Sequence, residues 1–327
     1  MGHKGHQPTM KDVAREAGVS LGTVSKVFNG IAIGESYKLR VEEAARRLGY
    51  QINSYARGFK TNKTLTVALV IPDLTNPYYA LLSQHISTNL AKRGYRTLLF
   101  LTGGDPDKEQ GCLGAAQRNQ TDGIIGLLCG TYMQTGIPFV SLDRYLGTEI
   151  PCVTSDHFGG GQLAAEKLIE LGCKSLAFVR IGSEVPVEMD KRRLGFEASC
   201  RTRQISFSEF LLDDQEGDSQ LRTFLETYIR NGKLEFDGVF SNTDILAVQL
   251  TRILKEHEIS VPRDVQVIGF DGIRRFNSED LFCSTIVQPI AQIAETAVDI
   301  VLREDPSTIP ALTCLPVRYM AGGTTRE

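Results

Sequence analysis

Residues 9–29 of this chain read TMKDVAREAGVSLGTVSKVFN, and this stretch decides the fold of its N-terminal part. Apolar residues recur there with the i, i+3, i+4 and i+7 spacing of one helix face, at Met10, Val13, Ala14 and Ala17. Gly18 follows, and glycine is the residue type that most readily takes the left-handed conformation that ends a helix. The pattern predicts a short helix that stops at this glycine.

A second short helix is predicted directly after that turn. Ser20 is a favoured N-cap residue, and Val24, Val27 and Phe28 form the apolar face of the helix it begins. The opposite face has one cation, small polar groups and no acid: Gly22, Ser25, Lys26 and Asn29. Two helices joined by a glycine-containing turn form a helix-turn-helix, and such a face suits a DNA major groove. An ordinary helical hairpin with a solvated face is the alternative.

A third helix completes a small core. Val41, Ala44, Ala45 and Leu48 repeat the same apolar spacing, and Gly49 is placed to end the helix. Three helices within fifty residues can bury the apolar faces of a helix-turn-helix, so the sequence predicts an independent head.

The charges of the chain are unevenly distributed. The 327 residues carry a net charge of −3, yet residues 1–60 contain ten Lys or Arg and only five Asp or Glu. The remaining residues contain 26 basic and 34 acidic side chains. A basic head on an acidic body is typical of a protein whose head meets nucleic acid, although a solvated basic face would have the same composition.

Residues 50–63, YQINSYARGFKTNK, form a polar and basic connector. Asn53 can cap a short helix in which Tyr55, Ala56 and Phe59 share a face, while Gly58 weakens it. Because so short a helix is not stable alone in water, we expect it to fold only when DNA and a partner copy supply contacts.

From Leu65 onward, apolar strands alternate with helices, which predicts parallel α/β sheets. The predicted strands are TLTVALVIP, RTLLFLT, DGIIGLL, IPFVSLD, KSLAFVR, DGVFSN and VQVIGFD. The predicted helices lie near residues 78–92, 107–119, 159–171, 190–202, 218–230, 244–257 and 290–303. About ten strands are more than one simple doubly wound sheet holds, so we expect two α/β lobes.

Three segments make the chain similar to a known family. DVAREAGVSLGTVSKVFNG, RRLGY and NSYARGFK resemble the N-terminal region of the lactose-repressor/galactose-repressor (LacI/GalR) family of bacterial transcription regulators, and the similarity continues along nearly the whole chain. The resemblance implies a three-helix, helix-turn-helix head and a two-lobed, periplasmic-binding-protein-like body of doubly wound parallel sheets. The expected divisions are head 1–50, hinge helix or linker 51–63, and effector-binding core 64–327. The first lobe would comprise 64–157 and 290–315, and the second 158–288 and 316–327.

The resemblance also assigns DNA-contacting positions. Leu21, Gly22 and Lys26 occupy the family's base-reading positions, and Thr9, Thr23, Ser25 and Asn29 occupy phosphate-contacting ones. In the hinge we expect contacts from Asn53, Tyr55, Ala56 and Phe59. The family inserts a leucine from this helix between base pairs, whereas Phe59 stands here, another residue type that serves as a wedge. For Leu21, packing at the edge of the head core is the alternative.

Polar side chains follow several predicted strands, where ligands bind in open α/β sheets. Asp73, Asp143 and Asp271 lie at such strand ends, and Tyr78 and Tyr79 can cover the apolar side of a sugar ring. The resemblance adds Arg192 in DKRRLGFEA, Asp244 in SNTDILAVQ and Gln288 in STIVQPI. The motif that contains Asp271 reads FDD in many relatives, and Gly272 replaces the second aspartate here. For Asp73 and Asp143, a turn or cap role is the alternative.

The sequence contains little that indicates an enzyme. GGGQLA at 159–164 fits a loose dinucleotide pattern, but Arg180 stands where the acid at the end of the next strand is required. Phosphate-loop, nucleophile-elbow and HExxH motifs are absent, and the histidines are widely spread. We therefore expect no catalytic residues, no cofactor and no metal site.

Seven cysteines without a CxxC pair, the lack of a signal-peptide pattern and the lack of a membrane-length apolar run favour a cytoplasmic protein without a membrane partner.

Together these features predict a transcriptional regulator, most simply a repressor, that binds double-stranded, near-palindromic operator DNA as a homodimer or higher oligomer. A small polar effector between the lobes, a sugar or similar polyhydroxylated ligand, would control it. One alternative is a solute-binding or sensor protein whose head contacts a protein partner. Another is the same regulator with a nucleoside or purine effector.

Overall fold

The structure is a computed structural model, and it describes residues 8–28, 31–50, 63–130, 135–181, 190–212, 217–275 and 277–326. The chain divides into two compact units, residues 1–65 and 66–327, which we call the head and the body. Each unit has hydrophobic core residues of its own.

The head contains three helices: α1 (Met10–Ala17), α2 (Leu21–Phe28) and α3 (Glu35–Leu48). The predicted apolar faces meet in one cluster, centred on Val13, Val24 and Val41, none of which is exposed to solvent. Gly18 and Gly49 end α1 and α3 with φ of 60° and 62°, as predicted from their residue type. The three-helix head is thus confirmed.

Side-chain caps fix where the two helices of the helix-turn-helix begin. The Thr9 hydroxyl and the Asp12 carboxylate form a capping box at the start of α1. Ser20 Oγ accepts a hydrogen bond of 3.1 Å from the backbone N–H of Thr23, which confirms its predicted capping role for α2. Arg40 donates to the carbonyl of Ala17 at 2.7 Å and so ties α3 to the end of α1.

Helices alternate with strands along the body. The helices described there are α4 (Pro77–Lys92), α5 (Pro106–Arg118), α6 (His157–Glu170), α7 (Lys191–Thr202), α8 (Gly217–Tyr228), α9 (Asp244–Glu256) and α10 (Ile290–Val301). A short 3-10 helix spans Pro306–Thr308. All seven α-helices lie within two residues of their predicted limits.

The described strands of the body are β1 (Thr66–Ile71), β2 (Arg96–Leu101), β3 (Gly123–Gly126), β4 (Phe139–Leu142), β5 (Cys152–Ser155), β6 (Leu176–Ile181), β7 (Phe207–Leu212), β8 (Ile229–Arg230), β9 (Lys233–Leu234), β10 (Gly238–Ser241), β11 (Gln266–Asp271), β12 (Ser284–Val287), β13 (Leu312–Leu315) and β14 (Arg318–Met320). The seven predicted strands are all present.

Two six-stranded sheets organise the body. The first has the order β13-β5-β4-β3-β1-β2, and every neighbouring pair is parallel. The second has the order β14-β12-β11-β10-β6-β7, in which only β14 is antiparallel to its neighbour. Strands β8 and β9 form a separate small hairpin.

Helices cover both faces of each sheet, which explains the near-continuous apolar character of the central strands. Helices α4 and α10 pack on one face of the first sheet and α5 packs on the other. Helices α6 and α7 pack on one face of the second sheet, and α8 and α9 pack on the other. The chain passes between the sheets three times: after β5, after β12 and between β13 and β14. These passages bring the carboxyl ends of strands from both sheets into contact through the side chains of one polar cluster.

Candidate functional site

The predicted base-reading residues lie on the exposed face of α2. Leu21 is 44% exposed, and Gly22 and Lys26 are exposed as well. Exposure of Leu21 argues against the alternative that it packs in the head core. Thr23 and Ser25 are half-buried, and Thr9 uses its hydroxyl in the capping box of α1. The predicted contacts Asn29, Asn53, Tyr55, Ala56 and Phe59 lie outside the described residues.

In the body, a buried chain of polar contacts links the ends of the two sheets. On the side of the first sheet, Tyr78 donates its hydroxyl to Asp143 Oδ2 at 2.9 Å, and Asp143 Oδ1 lies 3.2 Å from His157 Nε2. On the side of the second sheet, Arg192 Nε donates to His157 Nδ1 at 3.2 Å. Arg192 also donates to the backbone carbonyl of Asn242, at the end of β10.

Arg192 is held on a flat apolar surface. Only 1% of this side chain is exposed, and its guanidinium carbon lies 3.6 Å from the centroid of the Phe270 ring. Burial lowers the pKa of Arg192, while the nearby carboxylates of Asp271 and Asp143 act in the opposite direction. The contacts to His157 and Asn242 use Nε and one Nη atom. The second Nη nitrogen has no hydrogen-bond partner among the described residues.

Asp271 faces the same cluster from the end of β11. Its Oδ1 accepts from Gln288 Nε2 at 2.7 Å, and Gln288 Oε1 accepts from Ser155 Oγ at 2.7 Å. Within the described ranges, its Oδ2 has no hydrogen-bond partner. Burial raises the pKa of Asp271 to about 8, and the neighbouring carboxylate of Asp244 adds to this, although Arg192 opposes it.

Asp143 differs from Asp271 in its protonation. Burial alone would raise the pKa of Asp143, but hydrogen bonds from His157 and Tyr78 and the charge of Arg192 outweigh burial and lower it. Thr154 Oγ1 also donates to Asp143 Oδ1 at 2.9 Å. The two aspartates that end strands β4 and β11 therefore carry different tendencies to ionise at neutral pH.

Both aspartates have unusual backbone conformations. The φ angle is 52° at Asp143 and 127° at Asp271, whereas non-glycine residues seldom adopt positive φ. Strain of this kind is concentrated at functional sites, where it aims a side chain that a regular strand would direct elsewhere. At Gly272, φ is 82° and an added Cβ would lie 2.7 Å from Val287 Cγ1, so the backbone of this chain suits the glycine that stands in place of the motif's second aspartate.

Asp244 and Asp73 are engaged in local contacts. Asp244 Oδ2 accepts from the N–H groups of Gly272 at 2.9 Å and Ile273 at 2.7 Å, which favours support of this turn over contact with an effector. Burial raises the pKa of Asp244 to about 6. Asp73 Oδ1 accepts from the N–H groups of Thr75 and Asn76, as its turn alternative predicted.

Tyr79 lies beside the polar cluster. Its ring makes an edge contact with Tyr78, with centroids 5.7 Å apart. Burial raises the pKa of Tyr79 above its usual value, and the neighbouring Cys129, Asp271 and Asp143 contribute in the same direction. The structure thus brings together six of the eight predicted effector residues: Tyr78, Tyr79, Asp143, Arg192, Asp271 and Gln288.

Four residues contribute to this cluster without being among the predicted effector residues: His157, Asn242, Thr154 and Ser155. His157 begins α6, and Asn242 follows β10, so both occupy the strand-end positions where ligands bind. That position is the only sequence signal that singles them out, since their partners lie 14 to 61 residues away.

Two glycines allow α6 and α7 to approach closely enough for this contact. A Cβ at Gly161 would lie 1.9 Å from the carbonyl oxygen of Arg192, and one at Gly195 would lie 1.9 Å from that of Phe158. Backbone therefore packs on backbone where the two helices meet, and the side chains of His157 and Arg192, each in the first turn of its helix, come within hydrogen-bond distance.

The described part of the chain contains no helix with the length and apolar character needed to span a membrane. The same residues include no group of three or more His, Cys, Asp or Glu side chains arranged to hold a metal ion.

Comparison with known proteins adds two family matches and several full-length relatives. Residues 9–53 match the lacI family of bacterial regulatory proteins, and residues 165–325 match the periplasmic binding protein-like domain. The chain is 32% identical to the sucrose operon repressor of Pediococcus pentosaceus, over 97% of this chain and 99% of that protein. It is 30% identical to the ribose operon repressor of Halalkalibacterium halodurans, over 90% of each.

Solved structures give the same fold. The lac repressor dimer bound to operator and the anti-inducer ONPF superposes with a TM-score of 0.81 at 20% identity, over 98% of this chain and 100% of that one. A periplasmic binding protein/LacI transcriptional regulator from Alkaliphilus metalliredigens, complexed with D-xylulofuranose, has a TM-score of 0.70 at 26% identity. That match covers 80% of this chain and 99% of the other.

Proposed function

The chain belongs to the LacI family of bacterial regulatory proteins, and we propose that it represses transcription by binding operator DNA until a sugar enters its body. The head would contact the operator, and the polar cluster between the two sheets would bind the sugar. The chain is a regulator rather than an enzyme, as its operon-repressor relatives are. Such a regulator acts on chromosomal DNA, and we therefore place it in the cytoplasm.

The effector proposal rests on one observation: Arg192 and Asp271 each leave part of their hydrogen-bonding capacity unused. Each buried group uses part of its hydrogen-bonding capacity on the protein, and each keeps one atom without a partner among the described residues. Buried charged groups are stable only when their hydrogen bonds are completed. A ligand hydroxyl accepts from the guanidinium and donates to the carboxylate, so adjacent hydroxyls of a sugar would complete both groups.

The charges of the cluster favour an uncharged sugar over a sugar phosphate. Arg192 is the one cation of the polar contacts described above, whereas Asp143 and Asp271 both lie within its electrostatic reach. A phosphate would bring further negative charge beside the Asp143 carboxylate, which Arg192 already balances, and like charges in a low-dielectric setting repel strongly. Tyr79 beside these groups would cover the apolar face of the ring, as aromatic side chains do in sugar sites.

For the head, we propose that α2 enters the major groove. Lys26 would donate to guanine O6 or N7, and Leu21 would lie against a thymine methyl. Thr9, Thr23, Ser25 and Asn29 would contact phosphates and fix the orientation of the helix. A homodimer would place two such helices in successive major grooves of a near-palindromic operator, about 34–36 Å apart. Residues 53–60 would fold on the DNA, with Phe59 as the minor-groove wedge.

Selection of a binding sequence from random DNA, followed by gel shifts at fixed salt, tests the first half of the proposal. We expect a near-palindromic sequence bound at least about a thousandfold more tightly than random DNA. A protein that binds no DNA selectively would instead support the alternative of a sensor whose head contacts another protein.

A thermal-shift screen tests the second half. D-ribose, sucrose, D-ribose 5-phosphate and adenosine would be compared at equal concentrations. A ligand present at about 100 times its Kd stabilises the folded protein by about 2.7 kcal/mol, which is readily measured. We expect a free sugar to raise the melting temperature more than the phosphorylated one. A larger shift with adenosine would favour a nucleoside effector.

A further inference from the structure

His157 stands at the centre of the polar cluster although it has no place among the predicted effector contacts. It is the first residue of α6, directly after the chain leaves the first sheet at β5. The side chain is 2% exposed. Its two ring nitrogens contact charged groups of opposite sign, Asp143 through Nε2 and Arg192 through Nδ1, each at 3.2 Å.

Only one form of the imidazole satisfies both contacts. The Nε–H group of arginine can only donate, so Nδ1 of His157 must be unprotonated in order to accept from it. The proton of the neutral ring therefore resides on Nε2, where it donates to the carboxylate of Asp143. Protonation of Nδ1 would place two donors face to face and break the contact to Arg192.

We propose that His157 is a positioning residue that sets which atoms of Arg192 face the effector. The contact from Nε to His157, together with the contact to the Asn242 carbonyl, fixes the plane of the guanidinium on Phe270. The remaining Nη nitrogen is then the one that points to the ligand. This inference rests on the proposed effector site and adds to it the residue that orients its main cation.

Close packing of the two helices gives the contact its geometry. Because Gly161 and Gly195 allow the backbones of α6 and α7 to touch, His157 and Arg192 are held by rigid elements rather than by loops. Sites built on rigid elements keep ligand-binding atoms within a fraction of an ångström of the required place. The histidine therefore fixes the position of the guanidinium relative to α6.

Replacement by phenylalanine and by asparagine separates positioning from simple packing. Phenylalanine keeps the ring, including the contact to Phe270, whose centroid lies 5.7 Å away, but removes both polar atoms. Asparagine places an amide oxygen near the site of Nδ1 and can still accept from Arg192. Calorimetric titration with D-ribose and with sucrose would measure effector affinity, and gel shifts would measure operator affinity.

We expect His157→Phe to weaken effector binding by about tenfold or more, since a hydrogen bond to a charged group is lost. Operator binding without sugar should change by less than about threefold. His157→Asn should recover most of the effector affinity. Equal affinities for wild type and His157→Phe, or a loss that asparagine does not reduce, would overturn the inference.

A double-mutant cycle tests whether the histidine acts through Arg192. If it does, His157→Phe should change effector affinity by less than about twofold once Arg192→Ala is present. Additive losses would contradict a positioning role. If Arg192→Ala alone leaves effector affinity unchanged, the proposed effector site itself fails, which distinguishes the two outcomes.

Nitrogen NMR of histidine-labelled protein gives a readout that needs no ligand. The His157 signals can be identified by their loss in His157→Asn. We expect an unprotonated Nδ1 and a protonated Nε2, and a change in the Nδ1 signal in Arg192→Ala. An Nδ1-protonated ring in the wild-type protein would overturn the inference, because that ring cannot accept from arginine.

Discussion

Leu21, Gly22 and Lys26 lie exposed on one face of α2, whereas Asp143, His157, Arg192 and Asp271 are each at most 6% exposed and interlock within the body. The head thus presents single side chains to a partner, and each can be replaced without leaving a buried group unpaired. In the polar cluster of the body, by contrast, each of these side chains contacts another polar group of the cluster. The binding free energy lost on replacing one side chain should therefore be that of a single contact in the head, but that of several linked contacts in the body.

The difference follows from what each partner supplies. DNA brings its own dense charge and a groove of fixed shape, so an exposed helix with one cation and small neighbours suffices. A small uncharged ligand brings a few hydroxyls, and the protein must organise strong donors and acceptors before it arrives. Substitutions should accordingly have local effects in the head and cooperative ones in the body.

The largest effect is expected from Arg192→Ala. It should lower effector affinity by about 3 kcal/mol or more, more than one hundredfold, because a charged donor and its organising contacts are lost together. Arg193→Ala is the matched control on the same helix, since Arg193 pairs with Glu197 at 2.8 Å and does not join the cluster. Calorimetry with D-ribose or sucrose measures both. An unchanged effector affinity in Arg192→Ala and also in Asp271→Ala would exclude this cluster as the effector site.

Lys26→Ala should act on DNA alone. We expect a loss of about 1–3 kcal/mol on the selected operator and a relaxed preference at one base pair of each half-site. Effector affinity should not change. Lys11→Ala, which removes an equal charge from α1, should leave the base preference intact. Similar losses on operator and random DNA would identify Lys26 as a phosphate contact, against our assignment.

Gly161→Ala tests the close packing beneath the cluster. The new Cβ would lie 1.9 Å from the Arg192 carbonyl oxygen, so the free energy of unfolding should fall by about 1–3 kcal/mol and effector affinity should fall with it. Gly111→Ala in α5 is the control, because no atom lies within 4 Å of the added methyl. That variant should gain about 0.5–1 kcal/mol from helix propensity. If both variants behave alike in thermal denaturation, the helix contact is not tight.

Asp271→Asn should stabilise the sugar-free protein while weakening sugar binding. The pKa of Asp271 is raised to about 8 in the folded chain, far above the value near 4 of an unfolded aspartate. Between these values the folded chain holds a proton that the unfolded chain has lost, so its contribution to stability falls as pH rises. Asparagine does not titrate, so this dependence of stability on pH disappears, and its amide oxygen can still accept a hydrogen bond from Gln288.

We therefore expect the stability of the variant relative to the wild type to rise with pH between pH 5 and pH 8, by about 1 kcal/mol for each pH unit. Denaturant unfolding at both pH values measures the difference. A constant difference between the two proteins from pH 5 to pH 8 would show that folding does not raise the pKa of Asp271.

The sequence allowed the head to be predicted almost completely, because its information is local. Apolar spacing located α1 to α3, and Ser20, Gly18 and Gly49 located their ends. In the body, alternation of strands and helices predicted parallel sheets, but five strands of the two six-stranded sheets were not predicted: β5 and β12, in which two of four residues are Ser or Thr, and the edge strands β7, β13 and β14. The half-exposed patterns of these edge strands lack the continuous apolar run that marked the central strands.

Most members of the polar cluster were predicted, but their pairings were not. Strand ends and family resemblance pointed to Asp143, Arg192 and Asp271, all of which the structure places in the cluster. The engagement of Asp244 with the turn at Gly272 and the link through His157 join residues 28 to 35 positions apart. Such links depend on how helices pack on a sheet, which spacing along the chain does not specify.

We propose above all that a sugar bound by Arg192 in the body changes how the head binds DNA. Operator affinity measured at fixed salt, with and without saturating sugar, tests this in the wild type, Arg192→Ala and Lys26→Ala. We expect sugar to weaken operator binding about 5–150-fold in the wild type, by a similar factor in Lys26→Ala, and not at all in Arg192→Ala. A wild-type protein that binds sugar yet holds its operator equally well would contradict the account.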